Sequence, residues 1–99
     1  MPLRPSARRN RLQAELGENI RRWRRINGMS SSDLAERATV TRDTLRAIES
    51  GSAAPRLDSF MSVLIALGIA DTLVEATDPF RSDAARARID DLLSRGGDL

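Results

Sequence analysis

Residues 28–51 read GMSSSDLAERATVTRDTLRAIESG and contain two short helical patterns separated by a break. Ser30 and Asp33 have the spacing of a capping box, in which a hydroxyl and a carboxylate each accept one free backbone N–H at the start of a helix. The apolar residues that follow recur at helical spacing. The first pattern therefore predicts a helix over Ser31–Ala38.

The second pattern follows a two-residue break at positions 39–40. Thr41 is the type of residue that caps a helix N-terminus, and Gly51 is the type that ends a helix, so a helix is predicted from Thr41 to Ser50. Helices this short are not stable alone. A tight turn between two of them makes a helix-turn-helix, whose second helix enters the DNA major groove while the first crosses the backbone. We therefore expect residues 31–50 to contact DNA.

Four further helices are predicted around this pair, over residues 11–26, 57–67, 70–76 and 83–94. The first rests on an apolar stripe at helical spacing, Leu12, Leu16, Ile20 and Trp23. The segment 57–67 is apolar nearly all round, which indicates that it buries more than one face.

The expected fold is all-α, in three parts. Residues 1–10, with two prolines and three arginines, are expected to form a flexible basic arm. This arm is either a solvated tail or a segment that follows phosphates and a minor groove. Residues 11–77 are expected to form a five-helix DNA-binding domain. Residues 78–99, helical over 83–94, are expected to form a C-terminal extension that contacts a second copy or a partner.

The composition argues against catalysis. The chain of 99 residues has no cysteine, histidine or tyrosine, so a thiolate or imidazole metal site and the commonest general base are excluded. The carboxylates lie among arginines, and none forms a pair in an apolar setting. We therefore expect no enzymatic activity, no metal and no cofactor. No apolar run approaches the roughly 20 residues of a membrane span, and a cytoplasmic protein without membrane contact is expected.

Charge is distributed unevenly along the chain. Residues 1–56 carry 12 arginines against 6 acids, and residues 57–99 carry 4 arginines against 8 acids. All 16 basic residues are arginine, whose planar fork suits phosphate and guanine edges, although a high-GC genome would also favour arginine codons. A basic half joined to an acidic half is typical of a nucleic-acid surface linked to a segment with another task.

The stretch from Leu16 to about Ile69 resembles the Xre family of helix-turn-helix regulators, which includes the lambdoid phage repressors and Cro. The most specific matches are Gly28-Met29-Ser30, Leu34-Ala35, Thr41–Ile48, Ile48-Glu49-x-Gly51 and Ala66-Leu67-Gly68. The resemblance implies a lambda-repressor-like fold and a dimeric repressor that binds double-stranded DNA at an inverted repeat.

The resemblance also implies roles for individual residues. Base edges would be read by Arg42, Asp43 and Thr44, with Asp43 alternatively holding Arg42 or Arg46. DNA phosphates would be bound by Ser31, Ser32, Thr41, Arg46, Ser50 and Arg56. Arg24 and Glu49 would form a partly buried structural ion pair. The neighbouring Arg21, Arg22 and Arg25 are expected to face solvent by their spacing.

Position 39 departs from the family pattern, which usually has glycine in this turn. Thr39 is β-branched and poorly suited to a positive φ. The turn is therefore expected either to be strained or to follow another path.

The surplus apolar surface is the expected site of a homodimer or partner contact, through Met61, Ile65, Ile69, Leu73, Phe80 and Ile89. The alternative is that the last helix folds back over this surface. The segments Asp71-x-Leu73, Asp78-Pro79-Phe80 and Asp83-x-x-Arg86-x-Arg88 resemble the region that follows the DNA-binding domain in Xre-type antitoxins of the HipB type. That resemblance implies an alternative function, an antitoxin that binds a HipA-type kinase toxin and represses its own operon.

Overall fold

The computed structural model describes residues 4–52 and 54–99. All the secondary structure of this part of the chain is helical, which confirms the all-α fold class. The elements are α1 (Ala7–Ile26), α2 (Ser31–Ala38), α3 (Arg42–Ser50), α4 (Leu57–Leu67), α5 (Ala70–Ala76), a 3-10 turn (Pro79–Arg81) and α6 (Asp83–Ser94).

Helix α1 begins four residues earlier than predicted. Ser6 is its N-cap, and the Ser6 hydroxyl accepts a hydrogen bond of 3.1 Å from the Arg9 backbone N–H. The prediction was wrong because it placed the start of the helix at the start of the apolar stripe, whereas the cap sets the start. Residues 7–10 of the predicted arm are therefore helical, and residues 1–3 of it lie outside the described residues.

The chain divides into two compact units, one ending at Ile69 and one formed by Ala70–Leu99. The expected DNA-binding domain of residues 11–77 extends past this division, and its boundary at residue 77 stays a prediction. Helix α4 ends at Gly68, which has a φ of 78°. Helix α5 belongs to the second unit. In that unit the 3-10 turn packs against α6, and Asp78 caps the turn by accepting from the Phe80 N–H at 2.9 Å.

The core of the first unit lies where α1 packs on α3 and where α2 packs on α3 and α4. Of the predicted apolar stripe of α1, Ile20 is buried, whereas Leu12, Leu16 and Trp23 are between 42% and 47% exposed. Helix α1 thus buries a narrower face than its sequence pattern predicts. The buried apolar side chains of this unit are Ile20, Leu34, Ala35, Ala38, Leu45, Ile48, Val63, Leu64 and Leu67.

Gly17 allows α1 to approach α3 closely. A Cβ placed on Gly17 would lie 2.8 Å from the carbonyl carbon of Glu49, well inside van der Waals contact. The backbone of α1 therefore rests directly on the last turn of α3, and side chains one and two turns further along α1 project over the same helix.

Within the described part of the chain, no single helix has the length and apolar content of a membrane span. The consecutive helices α4 and α5 reach these values only when they are counted together.

Candidate nucleic-acid interface

The first turn of α3 is exposed and is held by its cap. The Thr41 hydroxyl accepts from the Thr44 backbone N–H at 3.0 Å and donates to the Thr44 hydroxyl at 2.9 Å. This arrangement occupies the hydroxyl hydrogen of Thr41 and leaves the hydrogen of Thr44 available to an external acceptor. Arg42, Asp43 and Arg46 are exposed on the same short helix.

Asp43 accepts a hydrogen bond from Arg46, with 3.4 Å between Oδ1 and Nη1. The two side chains are 91% and 73% exposed, so the pair is weak and readily exchanged. Arg42 forms no ion pair with any carboxylate of the described residues. Among the described residues, therefore, no carboxylate competes for the N–H donors of Arg42.

The turn between α2 and α3 passes through the left-handed conformation at Thr39, with φ 57° and ψ 42°. Thr39 N–H donates to Glu36 at 3.1 Å, and Val40 N–H donates to Ala35 at 3.0 Å. These two bonds form a Schellman motif. Of the two alternatives for this turn, the backbone follows the glycine-type path with a β-branched residue, and it carries the strain of that conformation.

A cleft of about 260 Å³ lies between α1, the start of α2 and α3. Its lining includes three arginines, one from α1 and two from α3, together with hydroxyls from the first residue of α2 and the last residue of α3. The lining residues are Arg21, Ser31, Arg42, Leu45, Arg46, Glu49 and Ser50. The cleft therefore joins four of the residues assigned to DNA contact, Ser31, Arg42, Arg46 and Ser50.

The start of α2 opens towards this cleft with unpaired donors. The Ser30 hydroxyl accepts from Asp33 N–H at 3.0 Å, and the Asp33 carboxylate accepts from Ser30 N–H at 3.1 Å. The bond from the Ser30 backbone N–H, aided by the Ser30 hydroxyl, lowers the pKa of Asp33 below its ordinary value. The N–H groups of Ser31 and Ser32 form no hydrogen bond within the described residues. Free N–H groups at a helix N-terminus attract anions.

Arg24 and Glu49 connect α1 to the last turn of α3. Arg24 Nε lies 2.8 Å from Glu49 Oε2, and Arg24 Nη2 lies 3.0 Å from Oε1. The remaining terminal nitrogen donates to the Met29 carbonyl at 3.1 Å. The two side chains are 12% and 11% exposed. The hydrogen bond to Glu49 raises the pKa of Arg24, against the opposing effect of burial.

The remaining residues assigned to phosphate contact lie outside the cleft or have local partners. Arg56 donates to Asp58 at 2.8 Å, and Ser50 shares a hydrogen bond of 2.7 Å with Ser52. Ser32 and Thr41 are exposed on the helix ends that carry them. Arg56, Ser50 and Thr41 must exchange or extend their hydrogen bonds to bind a phosphate, whereas the Ser32 N–H forms none with a described residue.

The residues assigned to a dimer or partner contact differ in exposure. Ile65 is 67% exposed and Phe80 is 56% exposed, whereas Met61, Ile69 and Leu73 are half-buried. Ile89 is 8% exposed. The assignment of Ile89 to a contact surface stays a prediction, although its buried side chain offers little surface to a partner.

Arg21 is the residue of the cleft that the sequence interpretation missed. Arg21 is expected to face solvent, and its side chain is 40% exposed, but it also lines the cleft together with Arg42. The sequence spacing indicates this position, because Gly17, Arg21 and Arg24 lie at i, i+4 and i+7 on one face of α1. That face is the one that rests on α3.

The chain matches the family described as a helix-turn-helix domain over residues 15–77. This range contains all of α2, α3, α4 and α5 and more than half of α1. No curated protein and no solved structure matches the chain.

Proposed function

The chain belongs to the family of helix-turn-helix domains, and we propose that it is a sequence-specific transcriptional regulator that binds operator DNA through α3. The observation that carries this proposal is the exposed start of α3, where Arg42 has no carboxylate partner among the described residues. An arginine in this position can form two hydrogen bonds to the O6 and N7 atoms of guanine, which distinguishes guanine from other bases.

Two neighbours assist Arg42 in base reading. Thr44 offers a free hydroxyl hydrogen and a methyl group, and its hydroxyl is oriented by the bond from Thr41. Asp43 can accept from a cytosine amino group through Oδ2, while Arg46 competes for its Oδ1. The main determinant of sequence preference is therefore Arg42, with Thr44 second and Asp43 third.

Phosphate contacts hold the domain in register on the duplex. The start of α2 supplies the free N–H groups of Ser31 and Ser32, and the positive end of the helix dipole adds to their attraction. Hydroxyls and guanidinium groups around α3 supply the rest. They are Thr41, Arg46, Ser50 and Arg56.

The regulator works as a homodimer in the cytoplasm and represses transcription by covering a promoter. One short recognition helix reaches only one half-site, and two-fold dimers of such domains bind half-sites about 34–36 Å apart. The exposed Ile65 on α4, flanked by the half-buried Met61 and Ile69, supplies apolar surface in the first unit. Leu73 and Phe80 supply it in the second.

The test compares Arg42→Ala with Arg37→Ala, since Arg37 is an exposed arginine on the neighbouring α2. Binding is measured on the DNA upstream of the protein's own gene and on a random duplex of equal length. We expect Arg42→Ala to weaken binding to the upstream DNA by about 5- to 150-fold, the equivalent of 1–3 kcal/mol, with a smaller loss on random DNA. Equal losses on both duplexes would show that Arg42 does not read bases.

A second candidate function is favoured by the separate C-terminal unit. Residues 70–99 form a compact unit of their own, and Phe80 is exposed in its 3-10 turn. This is the segment that resembles the HipB-type antitoxins, so the alternative partner is a HipA-type kinase. Co-expression with the product of the adjacent reading frame tests it. A stable complex that Phe80→Ala weakens supports the antitoxin, and the absence of a kinase-sized neighbouring gene contradicts it.

A further inference from the structure

We infer that Arg21 of α1 is a further ligand of the DNA backbone phosphate that is proposed above to bind at the start of α2, in the cleft between α1, α2 and α3. The inference rests on the proposed DNA-binding function and extends it to a helix that otherwise serves as support. Nothing in the helix-turn-helix arrangement of α2 and α3 requires a contact from α1.

The position of Arg21 is fixed by the helix packing. The close approach at Gly17 and the ion pair between Arg24 and Glu49 hold α1 against α3 on both sides of Arg21. The side chain of Arg21 therefore has a defined place at the wall of the cleft, where it is 40% exposed. By contrast, the neighbouring Arg22 is 66% exposed and lines a different groove, formed by α1 residues alone.

The charges in the cleft favour an anion. Arg21, Arg42 and Arg46 contribute three positive charges to its lining. Glu49 contributes the negative charge, which is already matched by its two hydrogen bonds to Arg24. Arg21 and Arg46 also have carboxylate partners, Glu18 and Asp43, which do not line the cleft. These exposed pairs are weak, so a phosphate can replace either carboxylate. The cleft wall also includes Ser31, whose backbone N–H is unpaired among the described residues.

Arg21 forms an exposed ion pair with Glu18 of its own helix, and a pair of this kind is weak and readily exchanged. One terminal nitrogen of Arg21 lies 3.3 Å from Glu18 Oε1, and Arg22 Nε lies 3.7 Å from the same oxygen. A guanidinium group has five N–H donors, so the bond to Glu18 leaves the others for a phosphate. The phosphate is the one feature of DNA that matches this cleft independently of base sequence, since planar arginine forks bind phosphate oxygens in pairs.

The experiment compares Arg21→Gln with Arg22→Gln in the full-length protein. Both variants remove one positive charge from α1 and one partner from Glu18. Arg21→Gln removes the charge from the cleft, whereas Arg22→Gln removes it from the groove formed by α1 residues. Affinity for a mixed-sequence duplex of about 20 base pairs, or two helical turns, is measured between 50 and 200 mM salt. Each phosphate contact contributes about 0.9 to the slope of log affinity against log salt. This slope corresponds to about 3.5-fold in affinity over a fourfold change in salt.

We expect Arg21→Gln to lower the slope by about 0.9 for each bound protomer, and Arg22→Gln to leave it close to that of the unchanged protein. Arg21→Lys keeps the charge and should keep most of the slope. Circular dichroism and thermal melting check that all variants remain folded.

Two results would contradict the inference in different ways. If the unchanged protein binds DNA and the Arg21→Gln and Arg22→Gln slopes are equal, Arg21 is ordinary surface charge and is not a ligand of this phosphate. If the unchanged, folded protein does not bind the duplex at low salt, the DNA-binding function fails and the phosphate site fails with it.

Discussion

Replacing Thr39 by glycine should stabilise the protein. Thr39 is the only non-glycine residue with a positive φ in the described part of the chain, at 57°. Its backbone bonds to Ala35 and Glu36 repeat the arrangement at Gly68, where Gly68 N–H donates to Ile65 and Ile69 N–H donates to Leu64. The Thr39 side chain is exposed and forms no hydrogen bond with a described residue, so its removal costs no side-chain contact of that kind.

The size of the effect follows from two opposing contributions. An L-residue in the left-handed conformation costs about 1–2 kcal/mol. Glycine removes this cost but loses about 0.5–1 kcal/mol through the larger backbone entropy of the unfolded chain. The free energy of unfolding of Thr39→Gly should therefore rise by up to about 1.5 kcal/mol, which corresponds to an increase in Tm of up to about 12 °C for a domain of this size.

Urea and thermal unfolding monitored by circular dichroism measure the change, with Thr39→Asn and Thr39→Ala as comparisons. Asparagine adopts positive φ more readily than other side chains, so Thr39→Asn should lie between threonine and glycine. Thr39→Ala removes the β-branch and keeps the Cβ, and should gain least. If alanine stabilises as much as glycine, the gain comes from loss of the threonine side chain. If glycine destabilises, the turn is not strained.

Three further predictions concern stability and assembly. Glu49→Gln should lower the free energy of unfolding by about 3 kcal/mol in urea titrations, because it leaves the partly buried Arg24 without a charge partner. Replacing both Arg24 and Glu49 by methionine should lower it by less. A loss in the double variant that exceeds the loss in Glu49→Gln would contradict this reasoning. Because the folded-state pKa of Asp33 is lowered, its charge stabilises the protein above the ordinary aspartate pKa of about 3.9, and this contribution is lost as pH falls through the lower, folded value. The stability difference between the unchanged protein and Asp33→Asn should thus be present at neutral pH and vanish in strong acid; a difference independent of pH would exclude the charge as its cause. Ile65→Asp should dissociate the proposed homodimer in sedimentation experiments. Ile26→Asp, at a side chain of similar exposure, should leave it intact. If both variants sediment alike, α4 is not part of the dimer interface.

Helix boundaries were predictable where a local signal sets them. The capping box at Ser30 and Asp33 and the cap at Thr41 mark the starts of α2 and α3 because each cap is a short-range arrangement of adjacent residues. The start of α1 is also set by a local cap, Ser6, but the sequence pattern does not indicate it. Ser6 lies in a stretch whose prolines and arginines suggest a mobile tail, and the apolar stripe begins only later.

Properties that depend on packing between helices were less predictable. The pattern of α1 predicts four inward apolar residues, of which Ile20 alone is buried. At Gly17 the backbone of α1 lies close to that of α3, so fewer side chains of α1 are buried between the two helices. A periodic sequence pattern contains no information on the distance between two backbones. Arg21 was assigned to solvent for the same reason, since its place in the cleft depends on that contact.

The contacts of α1 tie the DNA-facing surface together. Gly17 lets the backbone of α1 rest on the end of α3, and Arg24 joins Glu49 of α3 while also holding the Met29 carbonyl before α2. The orientation of α3 is therefore fixed at both ends, by the turn at Thr39 and by α1. A change at Gly17 that displaces α3 should weaken DNA binding although this residue reaches no base and no phosphate. The effect would appear in affinity for operator and random DNA together, because a displaced α3 misplaces Arg42 and the phosphate contacts of the cleft at the same time.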